Sequence, residues 1–110
     1  MADTVKFENV SVTAPANIYY DGKCISHSIV TSHGYRKTLG VILSGPLTFT
    51  TGDPEQLEIV RGRCRVLLPG EGTWVEYGPG EAFSVPGSSS FQVDVLGPVD
   101  YICHYVGLAA

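Results

Sequence analysis

Turn-forming residues recur about every ten positions along this chain, and that spacing constrains its fold more than any other feature. His33-Gly34, Ser44-Gly45-Pro46, Gly52-Asp53-Pro54, Pro69-Gly70-Glu71-Gly72, Gly78-Pro79-Gly80, Pro86-Gly87 and Gly97-Pro98 interrupt short runs rich in β-branched and aromatic residues. The runs read CISHSIVTS, TLGVIL, LTFT, LEIV, CRVLL, TWVEY, AFSV, FQVDV and YICHYV. None sustains apolar residues at i, i+3, i+4 and i+7 between helix caps. Many short strands broken at this interval predict an all-β domain, a sandwich or a small barrel. With 110 residues the chain can bury one hydrophobic core and forms one domain. Residues 18–110 are read as the barrel, and residues 1–17 as an arm lying across it or across a partner subunit.

Composition excludes several classes. Hydrophobic residues are 44% of the chain and charged ones 16%, the balance of a folded globule rather than a disordered segment. A formal net charge of -4 argues against non-specific binding of nucleic acid. Arg61, Arg63 and Arg65 form the only basic cluster, read as a solvated strand face or as salt bridges across a dimer interface. No run approaches the ~18 apolar residues needed to span a bilayer, so no membrane partner is expected. The opening MADTVKFENV has no basic start followed by an apolar run, so a cytoplasmic location is expected. Cys24, Cys64 and Cys103 contain no C-x-x-C pair and are expected as small buried hydrophobes in a reducing compartment.

Alternation along the strands assigns faces. Phe91, Val93 and Val95 share one face of FQVDV, with Gln92 and Asp94 on the other. Arg36, Thr38 and Gly40 share a face of their strand, and Thr48 and Thr50 share a face opposite Leu47 and Phe49. Two spacings then carry meaning. In GEAFSVPGSSSF, five residues separate Gly80 from Pro86, as in the second metal-binding motif of a cupin barrel, yet Phe91 stands where a histidine ligand is expected. The first cupin motif runs histidine, one residue, histidine, three or four residues, glutamate, six residues, glycine. Thr48-x-Thr50-x4-Glu55-x6-Gly62 keeps that spacing with threonine in both histidine places. One of four ligands survives, and threonine hydroxyls bind Zn or Fe poorly. His27 and His33 would lie ~20 Å apart on an unbroken strand, too far to share an ion. A cupin-like jelly-roll barrel without a metal is the expectation.

TFTTGDPEQLEIVRG, VLLP, WVEYGPGEAFSVPG and YICHY, in that order, resemble the pyrimidine/purine nucleoside phosphorylase family of small cupins, from about Tyr20 to Val106. The resemblance implies a homodimer that needs no metal or cofactor and uses inorganic phosphate as co-substrate. Such proteins cleave the N-glycosidic bond of purine and pyrimidine nucleosides, a pentosyl transfer yielding free base and pentose 1-phosphate. The chain departs from the family pattern at His104, where the family carries arginine, and at Ser88, where a histidine follows the motif's glycine.

Phosphorolysis passes through a ribosyl group of oxocarbenium character, so the site must hold phosphate, grip the sugar hydroxyls and bind the departing base. Arg36 is the expected phosphate ligand, because a guanidinium binds phosphate oxygens bidentately. Thr48 and Thr50 would add hydroxyl donors, and Glu55 would accept from the ribose hydroxyls. Phe91, Phe83 and Tyr101 are candidates for stacking on the base, since every base has a π-face. His104 and Gln92 are candidates for hydrogen bonds to base or phosphate. The competing readings are a non-catalytic cupin that binds a sugar- or nucleoside-like ligand, and a metal-dependent cupin enzyme with atypical ligands.

Overall fold

The computed structural model describes residues 5–105; residues 1–4 of the expected arm and 106–110 of the expected barrel lie outside the described residues. The larger sheet holds β1 (Ser11–Val12), β3 (Cys24–Val30), β4 (Arg36–Ile42), β11 (Val99–Tyr105), β6 (Glu55–Arg61) and β9 (Ala82–Val85) in that order, with β2 (Asn17–Tyr19) also paired to β3. The smaller sheet orders β5 (Leu47–Thr50), β10 (Ser90–Val95), β7 (Cys64–Leu67) and β8 (Val75–Tyr77). The described pairings are antiparallel. No described strand belongs to both sheets, so the expected barrel is a two-sheet jelly roll rather than a continuously bonded cylinder. Within the segment expected as an arm, Ser11 and Val12 pair with Val30 and Ile29, and Asn17 opens β2.

The period-2 pattern of the strands builds the core between the sheets. On β11, Val99, Tyr101 and Cys103 point inward from the larger sheet. Phe91 and Val93 of β10, with Val66 of β7, meet them from the smaller one. Each of these residues is at most 8% exposed. Burying an aliphatic or aromatic side chain to this degree stabilises the fold by about 1.5–3 kcal/mol before conformational entropy is counted.

Gly62 and Gly40 are required by space. Gly62 joins β6 to β7 at φ 89°, and a Cβ there would sit 2.4 Å from the Pro98 carbonyl oxygen. The motif's terminal glycine is therefore a tight-turn residue. Gly40 of β4 lies under the Tyr101 ring, and a Cβ would come within 2.6 Å of it. The ring can lie flat across β4 only because position 40 has no side chain.

The basic cluster resolves into ion pairs within the chain. Arg61 binds Asp100 at 2.6 Å, Arg63 binds Glu76 at 2.5 Å and Arg65 binds Asp94 at 2.7 Å. These are surface pairs of small energetic weight, and they neutralise the basic cluster around the turn from β6 to β7.

Candidate active site

A cavity of about 400 Å³ opens between the two sheets, within the range of small-molecule sites. The larger sheet contributes Ser26, Thr38, Leu57, Tyr101, Cys103 and Tyr105 from the inward faces of β3, β4, β6 and β11. Phe49 of β5 and Phe91 of β10 close it from the smaller sheet. Tyr19 and Tyr20 stand at the end of β2, where the chain turns towards β3.

Glu55 opens β6 opposite Tyr105 of β11 and is the only formally charged residue lining the cavity among the described residues. The Cys103 thiol donates to Glu55 Oε1 at 3.5 Å, a weak contact. Burial pushes the Glu55 carboxyl above its ordinary pKa, and the thiol contact only partly offsets this. Burial, reinforced by the Glu55 charge, lifts the Cys103 thiol to about 12. Burial likewise lifts the Tyr105 hydroxyl to about 12 and raises Tyr19 and Tyr101. The cavity thus holds one carboxylate among neutral hydroxyls and a neutral thiol. Such a low-dielectric setting strengthens any interaction between that carboxylate and a developing positive charge.

Of the residues expected from sequence, Glu55, Phe91 and Tyr101 line this cavity together. Phe91 takes the position of the missing histidine and faces inward, 3% exposed. The Tyr101 hydroxyl lies 3.4 Å from Cys24 Sγ, so its ring forms a wall while its polar end is held in the core. Thr48 and Thr50 border the same cavity, but both are exposed, on the face of β5 opposite Leu47 and Phe49. Phe49, partly buried against the core, and Thr51, buried, face inward instead, so the inward-facing register at this spacing is Phe49-x-Thr51-x3-Glu55-x6-Gly62. The motif allows three or four residues before the glutamate, and β5 uses three.

Thr51 joins the two halves of the motif. Its hydroxyl donates to the Pro86 carbonyl at 2.7 Å and accepts from the Ser89 N–H at 3.0 Å. Its own N–H donates to the Ser89 carbonyl, and the Ser88 N–H donates to the Gly52 carbonyl. The loop carrying Pro86 and Gly87 is thereby held against residues 51–54. The donors at this point are Glu55 and the Cys103 thiol, and no group of three or more His, Cys, Asp or Glu comes together among the described residues.

Arg36 is exposed at the open end of β4, on the inward face it shares with Thr38, and its guanidinium lies 4.4 Å from the centroid of the Tyr105 ring. Tyr105 lines the cavity, so this cation stands at the rim. Phe83 does not line the cavity. It packs behind Phe91 with centroids 6.0 Å apart and against Tyr77 at 4.9 Å, a core role. His104 is also outside. Odd-numbered residues of β11 face inward, so His104 projects from the outer surface, binding Lys37 Nζ at 2.8 Å and Glu58 at 3.0 Å. Gln92 is excluded by the same alternation on β10.

Sequence reasoning missed Tyr19, Tyr20, Ser26, Cys103 and Tyr105 as cavity residues. Tyr105 was within reach, because the i, i+2, i+4 spacing of Tyr101, Cys103 and Tyr105 puts all three on one face. Nothing local marks Tyr19 and Tyr20, which come to the cavity through the pairing of β2 with β3.

Residues 14–105 match the pyrimidine/purine nucleoside phosphorylase family. A protein of that name from Aromatoleum aromaticum is 53% identical over 106 residues, covering 96% of this chain and 99% of the relative. Among solved structures, a protein of unknown function from Acinetobacter sp. ADP1 superposes with a TM-score of 0.89 at 41% identity, covering 91% of this chain and 97% of the other. The hydroxypropylphosphonic acid epoxidase of S. wedmorenis superposes at 0.62 with 11% identity, covering 82% and 55% of the two chains, a likeness of fold alone.

Proposed function

The chain belongs to the pyrimidine/purine nucleoside phosphorylase family, and from that membership we propose that it cleaves purine and pyrimidine nucleosides with inorganic phosphate. The match over residues 14–105 is the observation that carries the reaction class. In the reaction a phosphate oxygen bonds to C1′ as the bond from C1′ to the base nitrogen breaks. The bonding pair leaves with the base, which takes up a proton, and the pentose departs as its 1-phosphate.

The cavity supports a division of labour. Glu55 accepts hydrogen bonds from the ribose hydroxyls, and its charge opposes the positive charge that develops on the sugar ring. Arg36 binds phosphate at the rim, where Tyr105 orients the guanidinium. Phe91 and Tyr101 supply apolar walls. The chemistry proceeds by positioning and electrostatics without a metal or cofactor. Thr48 and Thr50 border the entrance, where their hydroxyls are available to phosphate. The proposal includes a homodimer in the cytoplasm; sedimentation reads the first and cell fractionation the second. Among the described residues no helix is long and apolar enough to cross a membrane.

The test is an assay of purified protein with uridine or adenosine, with phosphate present or omitted. Base release that requires phosphate, with equal formation of pentose 1-phosphate, is the expected result. Absence of release across a panel of nucleosides overturns the proposal and leaves a ligand-binding cupin in its place. Exhaustive chelation is expected to leave the rate unchanged.

A further inference from the structure

Tyr19, Tyr20 and Phe49 form an aromatic group at the cavity mouth. The backbone that creates it is unusual. Tyr20 has φ 52° and Asp21 has φ 56°, followed by Gly22 at 91°. Only the glycine adopts this left-handed region without steric cost, so two side-chain-bearing residues are held there by their surroundings. The consequence is geometric. On an extended strand Tyr19 and Tyr20 would point to opposite faces. Here both rings stand edge-on to the same Phe49 ring, at 6.4 Å and 81° for Tyr19 and at 6.2 Å and 85° for Tyr20. The Tyr20 hydroxyl donates to the Thr48 carbonyl, so a residue following β2 is latched to β5 of the opposite sheet.

The rings are not used up by this packing. Tyr19 is 45% exposed and Tyr20 50%, although both line the cavity. Strain, a latch between sheets and half-exposed aromatic surface at one opening describe a surface prepared for a flat ligand. The distribution of chemistry agrees. Glu55 stands among hydroxyls and a thiol on the larger sheet, while the mouth is aromatic. A nucleoside entering ribose-first would set its sugar against Glu55 and leave its base between the tyrosines.

We infer that Tyr19 and Tyr20 are the nucleobase platform, stacking on the face of the base without reading its edge. Phe91 and Tyr101 then serve as cavity walls. This rests on the phosphorylase reading for the identity of the ligand. Recognition through the π-face admits both purines and pyrimidines, because edge patterns differ between bases and aromatic faces do not. The larger purine face covers more of the platform, so purines depend on it more.

The experiment compares Tyr19→Ala, Tyr20→Ala, Tyr20→Trp and Tyr20→Phe with wild type, each checked for folding by circular dichroism. Both alanine variants are expected to raise the nucleoside KM about tenfold, the scale of one lost stack, with the phosphate KM unchanged. The rise is larger for adenosine than for uridine, so the purine-to-pyrimidine ratio of KM shifts. Tyr20→Phe loses the latch and keeps the ring, so it falls between wild type and alanine; Tyr20→Trp, which retains a stacking surface, does the same. A folded pair of alanine variants with unchanged adenosine KM and unchanged KM ratio overturns the inference.

If wild type releases no base, the phosphorylase reading has failed separately. The platform is then read by calorimetric titration with adenosine in the absence of phosphate. Adenosine affinity that falls about tenfold in Tyr20→Ala and less in Tyr20→Phe sustains the platform. Equal affinities, or no adenosine binding by wild type, overturn it.

Discussion

Glu55 concentrates the chemistry of the cavity in one side chain. Among the described residues it is the one formal charge in a lining of hydroxyls, aromatic rings and a thiol, and burial raises its pKa. In the role proposed for it, its ionised form accepts from the ribose hydroxyls. Activity should therefore fall as pH drops through a value above that of an ordinary glutamate, which a kcat/KM profile checks. Stability moves the other way. Between the unfolded and the higher folded pKa, the native chain binds more protons than the unfolded one, so stability falls as pH rises through that interval. Glu55→Gln should then lower kcat/KM at least a hundredfold while leaving the neutral-pH Tm equal or higher. Thr51 is the opposite kind of residue, buried and satisfied. Thr51→Val would strand the Ser89 N–H and one bond of the Pro86 carbonyl. The expected cost is about 1–3 kcal/mol in urea unfolding, with the cavity side chains otherwise intact.

At the level of strands, alternation decides which side chains reach the reaction. β4 carries Arg36, Thr38 and Gly40 on its inward face, while β11 turns Tyr101, Cys103 and Tyr105 inward and His104 outward. Kinetics can separate the two basic residues. Arg36→Ala should raise the phosphate KM at least tenfold with a smaller effect on nucleoside KM, the loss of a charge-assisted contact. His104→Ala should leave both constants within about twofold, because its partners Lys37 and Glu58 lie on the outer surface. An unchanged phosphate KM for Arg36→Ala would remove that guanidinium from the phosphate site.

Across the whole molecule, the two sheets enclose the core and the cavity together, so ligand binding and stability draw on the same packing. All three cysteines are free and buried. Burial lifts the Cys64 thiol to about 11 and Cys103 to about 12, which suppresses the reactive thiolate. Native protein at pH 8 should react slowly with a thiol-exchange dye, and all three thiols should react once denaturant unfolds it. Rapid labelling of the native state would show that the sheets open locally. Nucleoside added in excess should slow labelling of Cys103 more than of Cys64, since only Cys103 lines the cavity.

Strand content, the inward face of β10 and the spacing of the two motifs were legible in the sequence. They depend on local rules: turn residues at set intervals and a side-chain period of two. Glu55 was legible for the same reason, as a fixed count back from Gly62. Counting four residues before Glu55 selects Thr48 with Thr50, where counting three selects Phe49 with Thr51, and one residue of register reverses every side chain on a strand. The pairing of β5 with β10 made that choice, setting Phe49 opposite Phe91. The tyrosine mouth was decided wholly by tertiary structure. Tyr19 and Tyr20 lie far from Phe49 along the chain, and the left-handed turn that places both beside it forms where one sheet latches to the other.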